Sequence, residues 1–256
     1  MSEVVKCIDI SHWQDFPNFS EVADAGVIAM IHKATEGTSY VDPNRATNIN
    51  NATKAGIVCC TYHWIKPGNA TKQMEFYLST VDPVPGERMV IDYEENGCKL
   101  DDLLEAVEVL TNDPRDLQVT VYSGHLLKEQ LNGDCNEFLA NNTDLWLAQY
   151  TTGEPSWSTG TYENWTLWQY SESGEIDGIS GSLVDLNRFA GSDAELIRWI
   201  SPAGETPPKP QPKPPVKPKE EVLVAVTASD NVRVTISLNG KPAQRQKICF
   251  RRGPDT

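Results

Sequence analysis

Eight short β-rich apolar runs recur through the first 200 residues, and the early runs are separated by segments long enough for a helix. Three of these segments have helical features: Asp42–Ala55 with a proline in its first turn, Asn69–Ser79, and Leu100–Leu110 with apolar residues at helical spacing. The gaps between the last three runs lack such spacing. This order predicts an α/β fold, an irregular TIM-like barrel, with a doubly wound open sheet as the alternative. The predicted strands are Val5–Ile10, Val27–His32, Ile57–His63, Met89–Tyr93, Gln118–Tyr122, Leu145–Gln149, Thr166–Tyr170 and Leu183–Leu186.

A proline-rich segment divides the chain. Eight of the 17 prolines lie between Pro202 and Pro218, where an extended polyproline II linker is expected. Residues 1–200 carry 12 Lys and Arg against 31 Asp and Glu, whereas residues 201–256 carry 10 against 5. We therefore predict a barrel domain at 1–200, a linker at 201–219 and a small basic all-β module at 220–256. Within that module, Asn239-Gly240 indicates a two-residue hairpin and 244–250 a third strand.

Composition excludes several classes of protein. The net charge of −14 argues against nucleic acid as the main partner. The longest apolar run, Val27–Ile31, is too short to insert across a membrane. The first residues contain no apolar stretch of signal-peptide length, so we expect no signal peptide. The six cysteines form no CxxC pair, which favours free thiols over a disulfide framework and provides no metal-ligand spacing.

Acidic residues follow several predicted strands. Asp9 ends the first strand, Asp92 and Glu94 close the fourth, and Asp185 lies in the eighth. On a strand, Asp92 and Glu94 share one face and Tyr93 points the other way. Burial of two like charges keeps one carboxyl protonated, which supplies the acid and the anion that glycosidic cleavage requires. Two alternatives are acids that merely cap loops or pair with basic residues, and a divalent-cation site built from the four carboxylates.

Aromatic residues cluster at the same strand ends, where rings can stack on sugar faces. The pairs Gln149-Tyr150 and Gln169-Tyr170 also place an amide beside a ring, which suits sugar hydroxyls and N-acetyl groups. These features favour a polysaccharide groove. The seven rings are Trp13, Tyr62, Trp64, Tyr122, Tyr150, Trp168 and Tyr170.

Eight short motifs occur in order over about residues 5–199. They are DISHWQ at 9–14, IHKATEG at 31–37, YHW at 62–64, IDYE at 91–94, VYSG at 121–124, LWLAQY at 145–150, LWQY at 167–170 and VDLNRF at 184–189. Together, in this order and with this spacing, they resemble glycoside hydrolase family 25, the lysozymes (N-acetylmuramidases) of bacteria, some fungi and many phage endolysins.

The resemblance implies a barrel of five βα units and three further strands. It also implies hydrolysis of the β-1,4 bond from N-acetylmuramic acid to N-acetylglucosamine in peptidoglycan, with retention and without a cofactor or metal. By position, Glu94 is expected to be the general acid/base, and Asp92 to orient the substrate N-acetyl group or support a covalent route. Asp9 and Asp185 are expected to flank the site. The candidate groove residues are Lys33, Glu36, Tyr62, Trp64, Tyr122, Gln149 and Trp168.

We therefore expect a peptidoglycan hydrolase, most plausibly a phage endolysin held in the host cytoplasm until its release to the cell wall. A virion-borne or extracellular lysin fits the same sequence. The basic module is expected to bind the wall or to mediate self-association. The alternatives are a chitinase-like N-acetylhexosaminide hydrolase and a non-catalytic peptidoglycan-binding module.

Overall fold

A computed structural model describes residues 5–151, 153–157 and 160–203, together with the backbone of 237–238 and 241–242. The chain divides into two units, Met1–Pro212 and Lys213–Thr256, and the boundary lies inside the segment predicted as a linker. In the second unit, strands Ser237–Leu238 and Lys241–Pro242 pair antiparallel and leave two residues between them, as the Asn239-Gly240 signal predicts. Most of the linker and the third predicted strand lie outside the described residues.

Eight strands of the first unit close into a barrel, which confirms the predicted fold. Strand β1 pairs parallel with β2 and antiparallel with β9, so the sheet that runs through β9, β8, β7, β6, β5, β4 and β2 has no break. The doubly wound alternative is wrong, because an open sheet leaves two unpaired edges. A short strand, β3, pairs antiparallel with β2 outside the ring. The strands are β1 Cys7–Ile10, β2 Ala29–Glu36, β3 Tyr40–Val41, β4 Val58–Trp64, β5 Arg88–Asp92, β6 Gln118–Ser123, β7 Asp144–Ala148, β8 Leu167–Gly174 and β9 Val184–Phe189.

Helices follow the early strands, and the described residues between the last three barrel strands form none, as predicted. Helices α2, α3 and α4 confirm the three predicted helices, although α2 begins at Arg45 rather than at Asp42. Asp42 instead accepts hydrogen bonds from the backbone amides of His12 and Asn44. The other four helices have only six to eight residues, too few to show a clear apolar period. The helices are α1 Phe19–Asp24, α2 Arg45–Lys54, α3 Ala70–Val81, α4 Leu100–Thr111, α5 His125–Leu131, α6 Glu137–Asn142 and α7 Asp193–Ile200.

Strand alternation separates two apolar layers, one inside the barrel and one between barrel and helices. Cys60 packs in the interior with Ile31 and Val90, whereas its neighbour Cys59 packs on the outer side with Ile57. The two adjacent cysteines thus face opposite ways, as expected on a strand. The five described cysteines are free thiols, and Cys249 lies outside the described residues.

Helix α7 closes the amino-terminal end of the barrel, where it contributes Leu196 and Ile200 to the interior cluster. The buried Arg88 holds α7 at this end of the barrel. Its Nη1 donates to Asp144 Oδ2 at 2.7 Å, its Nε donates to the Trp199 carbonyl at 2.6 Å, and its guanidinium lies 4.2 Å from the Trp199 ring centroid. The carboxyl end of the strands is therefore the end available for a site. Among the described residues, no helix is long and apolar enough to cross a membrane.

Candidate active site

The inner face of the barrel brings the four predicted acids to one place. Asp9 and Asp185 are direct partners across the β1–β9 pairing. Together with Asp92 and Glu94 they line a cleft of about 250 Å³, here named the acidic cleft. Glu94 lies two residues beyond the end of β5, and Tyr93 between the two acids is buried on the opposite side. The Asp-x-Glu spacing thus aims both carboxyls into the cleft, as the alternation predicts.

Asp9 lies at the floor of the acidic cleft in a dense set of hydrogen-bond donors. Gln169 Nε2 donates to its two carboxylate oxygens at 3.0 and 3.2 Å, and Asn187 Nδ2 donates to Oδ2 at 2.7 Å. Gln169 is oriented in turn, because its Oε1 accepts the hydroxyls of Tyr122 at 2.7 Å and Tyr150 at 2.9 Å. The Asp9 carboxylate is therefore fixed in position and supplied with donors that favour its ionised form.

Asp9 and Asp185 share a proton. Burial raises the pKa of Asp9 to about 6, and the hydrogen bonds from Asn187, Gln169 and Asp185 hold it from rising further. Burial, and then the charge of Asp9 and the hydrogen bond to it, raise the pKa of Asp185 to about 8. The two carboxyls therefore titrate as a pair, and near neutral pH the pair holds one proton and carries one negative charge.

Asp92 and Glu94 both have raised pKa values. Burial raises the pKa of Asp92 well above its usual range, the charge of Glu94 adds to the rise, and the Lys33 ammonium opposes it. Burial, followed by the charge of Asp185, also raises the pKa of Glu94. Asp92 Oδ1 is buried and has no hydrogen-bond partner within the described residues. Two such carboxyls do not both ionise readily, so one of them keeps a proton near neutral pH.

A network of charged side chains holds Trp64 at the rim of the acidic cleft. Lys33 Nζ lies 4.9 Å from the Trp64 ring centroid and 2.6 Å from Glu36 Oε2. Lys66 Nζ lies 3.0 Å from Glu36 Oε1 and 3.2 Å from Glu95 Oε2. The indole Nε1 of Trp64 donates to the same Glu95 oxygen at 3.0 Å. The ring is thus held by a hydrogen bond and by cation–π contact, and it leaves a face toward the cleft.

A second lobe of about 320 Å³ adjoins the acidic cleft on the side of the loops that follow β6 and β7. Glu94, Tyr122 and Tyr150 line both spaces. Gln149 lines only the second lobe, where its Oε1 accepts the backbone amide of Ser156 at 2.9 Å. Glu94 therefore lies where the two spaces meet.

The predicted groove residues divide into three groups. Tyr62, Trp64 and Tyr122 line the acidic cleft, and Gln149 lines the second lobe. Lys33 and Glu36 lie at the rim in the network around Trp64, outside the lining of the cleft.

The structure does not bring Trp168 to the groove. It lies on the outer face of β8, buried among the residues that pack toward the helices, and its Nε1 donates to the Gln149 carbonyl at 2.7 Å. Tyr170 shares that face. Trp13, 74% exposed, lies outside the lining of the cleft as well.

Sequence reasoning places Gln169 near the groove only as an amide for sugar groups, and it does not identify Asn187 or the contact of either residue with Asp9. Both face inward opposite each other across the β8–β9 pairing and both donate to Asp9. Strand alternation carried the signal, because a strand that places Trp168 outward places Gln169 inward. Trp146 was missed too; its indole donates to Asn187 Oδ1 at 2.8 Å and fixes that amide.

Hydrogen-bond donors converge on Asp9 in the acidic cleft, whereas Asp92 Oδ1 has no partner among the described residues. In the described part of the chain, no group of three or more His, Cys, Asp or Glu residues has an arrangement that could hold a metal ion. The cleft can supply a proton donor, a fixed anion and aromatic walls, which are the groups that acid-catalysed cleavage of a glycoside uses.

Comparison with known proteins identifies the family. The glycosyl hydrolases family 25 profile matches residues 8–179. Lysozyme M1 of Streptomyces globisporus is 33% identical over 214 residues, which are 75% of this chain and 70% of that protein. The autolytic lysozyme of Clostridium acetobutylicum is 29% identical over 192 residues, which are 73% of this chain and 56% of that protein. The crystal structure of the bacterial lysozyme from Streptomyces coelicolor superposes with a TM-score of 0.70 at 28% identity, and the match covers 78% of this chain and 98% of that one.

The profile match spans more than half of the chain and includes Asp9, Asp92 and Glu94, while Asp185 follows its end. The barrel with its acidic cleft and the similarity to lysozymes lead to the same assignment. The chain therefore belongs to glycosyl hydrolase family 25 and is a peptidoglycan-hydrolysing glycosidase of the lysozyme type.

Proposed function

We propose that this enzyme cleaves the β-1,4 bond between N-acetylmuramic acid and N-acetylglucosamine with retention at the anomeric carbon, and that Glu94 is its general acid/base. The observation that carries the proposal is the position of Glu94 where the acidic cleft and the second lobe meet. Sugars on the two sides of a scissile bond would fill the two spaces. The raised pKa of Glu94 keeps a proton available for the leaving oxygen between them.

Asp92 is proposed to orient the N-acetyl group of the sugar in the acidic cleft. Its Oδ1 is buried, has no hydrogen-bond partner among the described residues and is suited to accept the acetamido N–H. The acetamido oxygen then attacks the anomeric carbon while the bond to the leaving oxygen breaks and Glu94 transfers its proton to that oxygen. In the second step, Glu94 takes a proton from water, and the water oxygen adds to the same carbon while the bond from that carbon to the acetamido oxygen breaks. This second inversion restores the original configuration and the free N-acetyl group.

Asp9 and Asp185 are proposed to supply one fixed negative charge at the floor of the cleft. Positive charge develops on the sugar ring as the bond breaks, and a preorganised anion stabilises it without reorganisation. The proton shared by the two carboxyls keeps the pair from carrying two charges.

The test is a digest of purified peptidoglycan, reduced with borohydride and analysed by mass spectrometry. The parent enzyme and a Glu129→Gln control, altered at an exposed glutamate of α5, are expected to yield reduced muramic acid ends. Glu94→Gln is expected to lose at least about 100-fold in rate, since general acid catalysis contributes that much. Reduced glucosamine ends would assign another bond, and no new ends from the parent would indicate a binding module. NMR of the first product anomer tests retention.

We also propose that the enzyme acts as an endolysin and that the basic residues 201–256 hold the acidic barrel at the anionic wall or join copies of the chain. Opposite charges on the two parts support this role. If residues 201–256 bind the wall, a chain that ends at Ala203 should lyse cells more slowly than the full-length chain. If they join copies of the chain, the shortened chain should be monomeric in solution and the full-length chain should form a larger assembly. Identical lysis and a monomeric mass for both chains would refute the proposal. For the endolysin role, expressed enzyme should lyse its host only after the membrane is permeabilised.

A further inference from the structure

We propose that an aromatic track, formed by Trp13, His12, Tyr40 and Trp64, binds the glycan strand beyond the sugars held in the acidic cleft. This inference rests on the proposed function and extends its substrate from a short oligosaccharide to a continuous polymer. The ligand class is a stretch of β-linked N-acetylhexosamines, whose ring faces stack on aromatic side chains.

Three rings of the track are in contact with one another, and Lys33 links them to the fourth. The centroids of Trp13 and His12 are 4.7 Å apart, and those of His12 and Tyr40 are 6.0 Å apart. Lys33 Nζ lies 5.5 Å from the Tyr40 centroid and 4.9 Å from the Trp64 centroid. Trp64 lines the acidic cleft, so the track is continuous with the proposed catalytic centre.

A buried carboxylate holds His12 at the centre of the track, which distinguishes the track from incidental surface aromatics. Trp13 is 74% exposed and Tyr40 is 36% exposed, whereas Asp42, which binds His12, is 2% exposed. Asp42 Oδ2 accepts the His12 backbone amide at 2.9 Å and lies 3.2 Å from His12 Nδ1, which is also 3.2 Å from the Tyr40 hydroxyl. A ring fixed in this way loses little conformational freedom when a ligand stacks on it.

A second set of buried amides fixes the backbone that carries Trp13. Asn44 Nδ2 donates to the Asp15 carbonyl at 3.3 Å, and Asn48 Nδ2 donates to the same oxygen at 3.0 Å. Asp15 itself has a positive φ of 49°, an unfavourable conformation for this residue that these contacts maintain. These contacts therefore hold the turn in a conformation that leaves the indole of Trp13 exposed to solvent.

The location of the track gives the direction of the bound strand. Trp13 follows β1, Tyr40 lies in β3 beyond the end of β2, and Trp64 ends β4, so the rings follow three neighbouring strands of the barrel. The second lobe lies across the acidic cleft, beside the loops after β6 and β7. A polymer that enters over the track and leaves through the second lobe places its scissile bond at Glu94.

The experiment compares a long and a short substrate. Values of kcat/KM are measured on intact peptidoglycan glycan strands and on a tetrasaccharide of alternating N-acetylglucosamine and N-acetylmuramic acid, which fills only the cleft and the second lobe. Trp13→Ala is expected to lower kcat/KM on long strands roughly fivefold to tenfold, through KM, because it removes one aromatic stacking contact. On the tetrasaccharide the variant should equal the parent.

Three further variants make the test specific. Tyr40→Ala should show the same selective loss on long strands, and Trp13→Phe should recover most of the parent value because it restores a ring. Phe138→Ala, which removes a 37% exposed ring from α6 on another part of the barrel, should match the parent on both substrates.

Each result decides a separate point. Equal losses on both substrates, or no loss on long strands, overturn the aromatic track while leaving the proposed function intact. A parent enzyme that cleaves neither substrate overturns the proposed function instead.

Discussion

Replacing Gln169 by leucine tests whether Asp9 works as a fixed anion. The variant removes the Nε2 donor that lies 3.0 and 3.2 Å from the two Asp9 oxygens and keeps a side chain of similar size. A hydrogen bond to a charged group contributes about 1.5–3 kcal/mol, and 1.36 kcal/mol corresponds to one pKa unit. The pKa of Asp9, about 6 in the parent, should therefore rise by about 1 to 2.

The assay is the pH dependence of kcat/KM on peptidoglycan. If ionised Asp9 is required, the acidic limb of the profile moves upward by about 1 to 2 pH units in Gln169→Leu, and activity recovers as the pH is raised. Tyr150→Phe is the matched control, since it removes a hydroxyl bound to the other end of Gln169 and leaves the donors to Asp9 in place. An unmoved acidic limb in Gln169→Leu, or a loss that is equal at every pH, would refute this reasoning.

Two predictions concern stability. Arg88→Ala removes the donor to the Asp144 carboxylate at the base of the barrel. Asp144 is 39% exposed, so the variant should lower the free energy of unfolding in urea denaturation by about 1.5–3 kcal/mol, the contribution of a hydrogen bond to a charged group. Lys6→Ala, which breaks an exposed pair with Asp193, should cost less than about 1 kcal/mol, and similar losses in both variants would contradict the role of Arg88. The pKa of Asp185 is raised from 3.8 to about 8 in the folded protein, so its protonation stabilises the fold below about pH 4 and this contribution is lost as the pH rises through 8. The melting temperature should therefore fall between pH 5 and pH 9, by about 2–4 °C for each 1 kcal/mol of stability lost. The fall should be steeper in the parent than in Asp185→Asn. Equal slopes for the two proteins would contradict the shared proton.

The sequence predicts the barrel well because its evidence is local. Each strand is a short apolar run, and helices α2, α3 and α4 are long enough to show a period or a proline start. Alternation along β5 is also local, which is why Asp92 and Glu94 could be placed on one face and Tyr93 on the other.

The hydrogen-bond partners of the acids could not be predicted in the same way. Gln169 and Asn187 become site residues only because the closed barrel brings β8 and β9 to β1, and no feature of their own segments identifies Asp9 as their acceptor. Trp168 illustrates the opposite error, since an aromatic residue at a strand end was assigned to the groove without regard to which face of β8 it occupies. Its burial toward the helices shows that position along a strand and face of the strand are separate questions.

The pairing of β1 with β9, which closes the barrel, has a consequence for folding. Asp9 receives its donors from residues 160 and 178 positions further along the chain, so the floor of the acidic cleft exists only when the first and last barrel strands have met. Contacts of such large sequence separation carry the highest loop-closure cost and form late in folding. During synthesis or refolding, the enzyme should therefore gain its activity in the step that closes the barrel. The time at which hydrolysis returns would then report when that step occurs.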